Sequence, residues 1–390
     1  MRRNNYTIPY GKQYLDRSDI KSVSKALKGE LLTTGAFVKE FENSIKKLLK
    51  PKFVITCSSG TAALHLALLS INLRPGDSIV MPSVNFIAAY NLSRILGAKI
   101  FLTDVDPVSG QMTPETLIEC INKNNIKNIK AIVTMYLGGY PENVIEFHKI
   151  KKKLKCFLIE DACHALGAKY LFKNKKIYIG SCKHADISTF SLHPVKTITS
   201  GEGGLITTNN SFLAKKIFLL RSHGIKRKKN KHWEYNILQS GFNYRLSDIN
   251  CALALSQLLK IKKFIDYRKK IFLLYKKELV KFNEFVTLPV YNQKNLPSYH
   301  LFIILINFKK LKTTKEKFFS FLKKNYIMCQ YHYIPIYKFK ICKKKNYFKN
   351  YKSEVFFKNA ISIPIYFNLK YRQQLFIIKI IKSFIEKNCR

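Results

Sequence analysis

The sequence predicts an α/β fold: a large domain on a mostly parallel, helix-covered sheet, followed by a smaller C-terminal α/β domain. Two observations carry this. Short apolar runs alternate with helical patterns through the first half of the chain, and a long helical stretch then leads to an apolar strand pattern at residues 299–307. Strands separated by helices pair in parallel and are covered on both faces. In order, helical patterns at 18–28 and 38–49 precede a strand at Phe53–Cys57, a helix at 61–71 and a strand at 78–81. A helix at 87–96, a strand at 99–102, a helix at 114–122 behind a Thr113 cap and a strand at 131–135 follow. A helix at 144–154, a strand at 157–159 and strands at 186–191 and 205–208 complete the sheet. Helical apolar spacing over 249–275 links to the small domain. The expected division is residues 1–250 for the large domain with its N-terminal segment, and 251–390 for the linking helix and small domain.

The chain has 390 residues, enough for two sizeable cores, and its 47% apolar content is ordinary. Residues 1–14 carry Arg and Asn without an apolar run, so no leader is expected. No uncharged run reaches a bilayer span. Nine scattered cysteines without a C-x-x-C pair suit reduced thiols, and a cytoplasmic location is expected. Cys156, Cys163, His164, Cys182 and His184 have no zinc-site spacing, and no metal is expected. Lys and Arg total 69 against 24 Asp and Glu, a net charge of +45. Dense runs at 149–155, 226–231 and 343–345 resemble a nucleic-acid binder. The excess is spread along the chain, however, and reads as lysines solvating helix faces rather than as a binding patch.

One lysine stands apart. Lys196 lies between the apolar strand at 186–192 and the turn Ser200-Gly201-Glu202-Gly203-Gly204 that opens the next strand. A desolvated lysine there has a lowered pKa, and its neutral amine can hold an aldehyde as a Schiff base. The aldehyde most often held in that way is pyridoxal 5′-phosphate, PLP.

The rest of such a site stands upstream. Phe53–Cys57 followed by Ser58-Ser59-Gly60-Thr61 and a strong helix former makes an anion cup from free N–H groups and the helix dipole. The run Cys156-Phe157-Leu158-Ile159-Glu160-Asp161 reads as a buried strand ending in an acid, where α/β sheets bind ligands. Asp161 there would pair with a protonated pyridine nitrogen, and His164 would support Asp161 or the ring hydroxyl. Phe86, after the strand at 78–81, would cover one face of the ring.

These motifs occur in one order with Ser59-Gly60-Thr61-Ala62-Ala63-Leu64, Glu160-Asp161-Ala162-Cys163-His164, residues 190–204, Arg221-Ser222-His223-Gly224-Ile225 and Gly241-Phe242-Asn243-Tyr244-Arg245-Leu246-Ser247-Asp248. Together they resemble the PLP-dependent sugar-nucleotide aminotransferases of the aspartate-aminotransferase superfamily, PLP fold type I. The resemblance runs through residues 8–256 and continues through His332-Tyr333-Ile334-Pro335-Ile336-Tyr337. Ser191-Leu192-His193-Pro194-Val195-Lys196 and Ser222-His223-Gly224-Ile225 are similar to the branch that aminates C4 of a UDP-4-keto-6-deoxy-N-acetylhexosamine in pseudaminic acid synthesis.

The resemblance implies roles. Lys196 is the Schiff-base lysine, Asp161 holds the ring nitrogen, Gly60 and Thr61 form the phosphate cup, and Ser191 lies near the phosphate. Asn243 is implied to reach the site from the other subunit of a homodimer. Tyr10, Glu30, Leu31, Leu32, Thr33, His332, Tyr333, Ile334 and Pro335, with Gly60, Ser191 and Asn243, are implied to touch the UDP-sugar. Glutamate is the expected amino donor. Cys163 departs from the branch, which often has Ser, and the C-terminal third is unusually rich in Lys, Tyr and Phe. Three alternatives stay open: a bacillosamine- or perosamine-type sugar, a sugar-dehydrating relative, and a basic nucleic-acid binder on the same fold. The dehydrating members carry histidine in place of the lysine, so Lys196 argues against them.

Overall fold

The computed structural model describes residues 7–231, 233–342 and 351–389; the charge run at 343–345 lies outside them. Its main sheet has seven strands: β1 (Phe53–Cys57), β2 (Ser78–Pro82), β3 (Lys99–Thr103), β4 (Ile129–Met135), β5 (Phe157–Asp161), β6 (Ile187–Ser191) and β7 (Gly204–Thr208). They lie in the spatial order β1-β7-β6-β5-β4-β2-β3. β7 is antiparallel to both β1 and β6, while β6, β5, β4, β2 and β3 pair in parallel. β1 therefore runs the same way as β6, and six strands end at one edge of the sheet. Each strand lies within two residues of its predicted place, because buried β-branched runs bounded by turn residues leave little choice.

The helix Gly60–Ser70 is apolar nearly all round, with Ala62, Ala63, Leu64, Leu66, Ala67 and Leu68 buried. It packs on β6, β7 and the helices Ala88–Ile95 and Ser211–Arg221, so no face is left for water. The predicted helical stretch 249–275 is in fact two helices, Asp248–Leu258 and Ile261–Leu279. The corner between them is pinned by Lys260, whose amine pairs with Asp16 at 2.9 Å, the N-cap of the first helix, Arg17–Leu27, and with Asp19 in that helix at 2.7 Å.

The smaller sheet is antiparallel and built from Val286–Thr287, Phe302–Ile306 and Ala360–Ile363. It shares a core with the helices Ile261–Leu279, Lys315–Lys324 and Tyr371–Asn388, in which Tyr275, Phe302, Phe318 and Ile381 are buried. The N-terminal segment is drawn onto this part: Ile8 N–H donates to Tyr326 O (2.8 Å) and Met328 N–H to Ile8 O (2.9 Å). Among the described residues no helix is long and apolar enough to cross a membrane.

One distant carboxylate organises a helix start beside the site. The helix Ala36–Leu49 has Gly35 at its N-cap and no cap of its own. Asp248, fully buried, accepts from Gly35 N–H (2.7 Å), Phe37 N–H (2.9 Å) and Val38 N–H (3.4 Å) instead. It does the work of a cap from 213 residues away along the chain. Asp248→Ala is expected to lower stability by about 2–3 kcal/mol, the loss of charge-assisted bonds to buried donors, read as a lowered urea midpoint with unchanged slope.

Candidate active site

At the edge where the parallel strands end, a cavity of about 640 Å³ opens. Met135 ends β4, Asp161 ends β5 and Ser191 ends β6, and all three line it. Because Ser191 pairs with Gly204 across β6 and β7, the loop 192–203 is closed at its base and brings Lys196 over that edge. The turn after β1 adds Ser59, Gly60 and Thr61. Phe86, Tyr10, His300, His332, Tyr333 and Ile334 are among the other wall residues.

Lys196 fronts the cavity and is half-buried as a residue, yet its amine is packed among protein groups. Burial is the largest influence on it and lowers its pKa, while Cys163 and Asp161 pull the other way. Asp161 is 3% exposed and accepts from Cys163 N–H at 3.2 Å. Burial raises its pKa, and the Cys163 side chain and backbone N–H oppose that. Desolvation therefore outweighs mutual attraction for both groups, and the amine is biased toward its neutral, nucleophilic form.

The cup depends on close packing. A Cβ on Gly60 would lie 2.8 Å from Ser191 Cβ and 3.3 Å from Cys163 Sγ. A Cβ on Gly204 would lie 2.2 Å from Ser59 O. Glycine at both places lets β7 and the end of β6 press against the turn. Ser59 Oγ caps the helix by accepting from Ala62 N–H (3.0 Å), and Ala63 N–H bonds Ser59 O. The first helical N–H groups, those of Gly60 and Thr61, have no intrahelical acceptor and face the anion position.

The opposite wall is aromatic. His164 stands 4.3 Å from His300, centroid to centroid, and Phe86 5.8 Å from Tyr333. Tyr10 stands 5.6 Å from His332, whose Nδ1 is 2.8 Å from Ser362 Oγ. Burial holds His164 and His300 well below the ordinary histidine range and brings His332 down to about 3; nearby Lys196 pushes all three the same way. All three are neutral near pH 7. Gly138 N–H points at His164 Nδ1 (3.4 Å), which assigns the ring proton to Nε2, 3.0 Å from the Tyr333 hydroxyl. Tyr333, its pKa raised by burial, keeps its own proton to donate.

Some residues named from sequence lie elsewhere. Pro335 is not on the cavity wall. Glu30, Leu31, Leu32, Thr33 and Asn243 are exposed and lie off the cavity of their own chain. Those segments adjoin each other: Thr33 bridges Ser247, and Asp248 N–H donates to Leu32 O at 2.9 Å. Sequence reasoning passed over Asn85 and His300, both buried on the cavity wall. Each is a single polar residue among apolar neighbours and carries no local signal.

A desolvated amine, a buried acid and a helix-terminus anion cup thus face one cavity. Residues 13–382 match the model of the DegT/DnrJ/EryC1/StrS aminotransferase family. The chain belongs to this aminotransferase family. Over 381 residues it is 37% identical to a UDP-4-amino-4,6-dideoxy-N-acetyl-β-L-altrosamine transaminase of Campylobacter jejuni, covering 97% of this chain and 98% of that one. A solved structure of Helicobacter pylori PseC, an aminotransferase involved in biosynthesis of pseudoaminic acid, superposes with TM-score 0.88 at 29% identity over 98% of this chain and 100% of that one. The PLP form of a sugar aminotransferase from Streptococcus pneumoniae shares the fold, with TM-score 0.87 at 24% identity over 98% of this chain and 99% of that one.

In this aminotransferase the cup is testable by itself. Gly60→Ala is expected to weaken uptake of PLP roughly tenfold or more, since the added carbon pushes Ser191 from the cup at a cost of about 1–3 kcal/mol. The check is a titration followed by visible absorbance, with a thermal melt to confirm that the chain still folds.

Proposed function

We propose that the cavity holds PLP and that the enzyme moves an amino group from glutamate to C4 of a UDP-4-keto-6-deoxy-N-acetylhexosamine of the L-series, as in pseudaminic acid synthesis. The observation that carries aminotransfer is the desolvated Lys196 amine, set in one cavity with a buried acid and a helix-terminus anion cup. The sugar is inferred from near full-length likeness to the Campylobacter jejuni transaminase.

The residues fit the cofactor. The N–H groups of Gly60 and Thr61, with Ser191 Oγ, would take its phosphate in a cradle that a Cβ on Gly60 would fill. Asp161 would hold the proton of its ring nitrogen, and the Cys163 N–H keeps that carboxylate in place. Bound there, the cofactor supplies an aldehyde and an electron-accepting ring. Lys196 Nζ, biased toward the neutral form, takes and returns the proton at the reacting carbon. Phe86 and Tyr333 limit water on one side of the cavity. His164, neutral and tied to Tyr333, fixes the hydroxyl that donates into the cavity.

The residues that lie off the cavity support a homodimer with shared sites. Residues 30–33 and Asn243 are exposed, and so are Tyr235, Ile237 and Leu238. Apolar area of that kind marks an interface, and two-fold symmetry would bring each such segment to the partner's cavity. The excess of lysines would gather an anionic sugar nucleotide. All nine cysteines are free thiols, which suits the cytoplasm.

Incubation with glutamate and a panel of UDP-, GDP- and dTDP-4-keto sugars, read by mass spectrometry, tests the substrate. The UDP-linked L-series sugar is expected to be aminated fastest; equal rates, or preference for a D-series or GDP sugar, point to another nucleotide-sugar branch. Shared sites predict complementation. Lys196→Ala and Asn243→Ala chains, each inactive alone, are expected to regain part of the activity when mixed, and a confirmed heterodimer without activity would refute sharing.

A further inference from the structure

Asn85 is 1% exposed and lines the cavity, yet neither its Nδ2 nor its Oδ1 has a hydrogen-bond partner among the described residues. A buried amide left without partners is costly, and native structures rarely keep one without a reason. The cavity that Asn85 lines is where a partner for the amide can be supplied by a bound ligand. Asn85 follows β2 by three residues, on a turn whose Ser83 carbonyl accepts from Ile336 N–H at 2.8 Å. That bond pins the turn to the segment carrying His332, Tyr333 and Ile334. Phe86, the next residue, stands 5.8 Å from Tyr333.

The chemistry of the amide narrows its ligand. It offers one donating and one accepting end, side by side. A phosphate or the donor's carboxylates only accept, and would leave Oδ1 facing another oxygen. The donor's ammonium only donates. The ring nitrogen has Asp161. What fits is a neutral group that both donates and accepts, and the sugar half of the substrate offers a hydroxyl and a secondary amide.

We propose that Asn85 is a specificity-determining residue whose amide pairs with a hydroxyl or acetamido group of the keto sugar. The assignment rests on the function proposed above. It is tested by running the two half-reactions separately on wild type, Asn85→Ala and Asn85→Asp, followed by the loss and return of the cofactor's visible absorbance. Calorimetric binding of the UDP-amino-sugar product to each protein is measured alongside. The sugar half-reaction is expected to fall roughly tenfold or more relative to the glutamate half-reaction, with product binding weakened by a similar factor. Asn85→Asp keeps the size of the side chain and guards against a folding failure of Asn85→Ala. A sugar with a free amine in place of the acetamido group separates the sources. A penalty that disappears on it assigns the contact to the acetamido group, and one that persists assigns it to a hydroxyl. Variants that slow both half-reactions alike, lose the cofactor, or behave as wild type overturn the assignment. A wild type that runs neither half-reaction overturns the proposed function instead, and the binding measurement still reads Asn85.

Discussion

The site depends on one close approach: β7 runs backwards between β1 and β6, and its first residue, Gly204, passes directly against the backbone of Ser59. That passage does three things. It makes β1 parallel to the rest of the sheet, so the helix Gly60–Ser70 starts at the same edge where Asp161 and Ser191 end their strands. It closes the loop 192–203 at its base, which holds Lys196 over that edge. It also leaves no room for a Cβ at Gly60, which keeps the anion cup narrow. A side chain at either glycine would push apart the elements that carry the amine, the acid and the cup.

Electrostatics in the cavity follow from exclusion of water more than from pairing. Lys196 and Asp161 are close enough to favour each other's charge, but burial wins for both. Burial holds His164, His300 and His332 neutral as well, although they would otherwise add positive charge beside the lysine. A chain with a net charge of +45 thus keeps the histidines of its cavity uncharged and lowers the pKa of its lysine. This is the setting a nucleophilic amine needs, since a charged wall would attract water and counter-ions.

The two sheets meet at the cavity. The larger supplies reactive groups from strand ends, where parallel topology places them. The smaller supplies His300 from just before Phe302–Ile306 and the segment 332–334, held through Ser362 and Ser83. The cavity wall is therefore drawn from both parts of the chain.

The sequence by itself determined the order of strands and helices in the first half, because buried β-branched runs and turn residues are local signals. It also determined the neighbourhood of Asp161, Gly60 and Thr61, at a strand end and a helix start, and of Lys196, in a loop between two strands that its own flanks define. It left the C-terminal third blurred: Ala360–Ile363 and the helix Tyr371–Asn388 share a Lys-, Ile- and Phe-rich composition in which strand and helix periods compete. The break at residues 259–260 was equally hidden, because it is held by ion pairs to Asp16 and Asp19 far away in the chain. Only the tertiary structure decided that β7 is antiparallel, that Asp248 caps a helix it is not part of, and that Asn85 and His300 join the cavity wall. It also decided that residues 30–33 and Asn243 are exposed and lie off the cavity of their own chain. The physical reason is common to all of these: each depends on contacts between residues distant in sequence, and no local pattern encodes which distant backbone a side chain will meet.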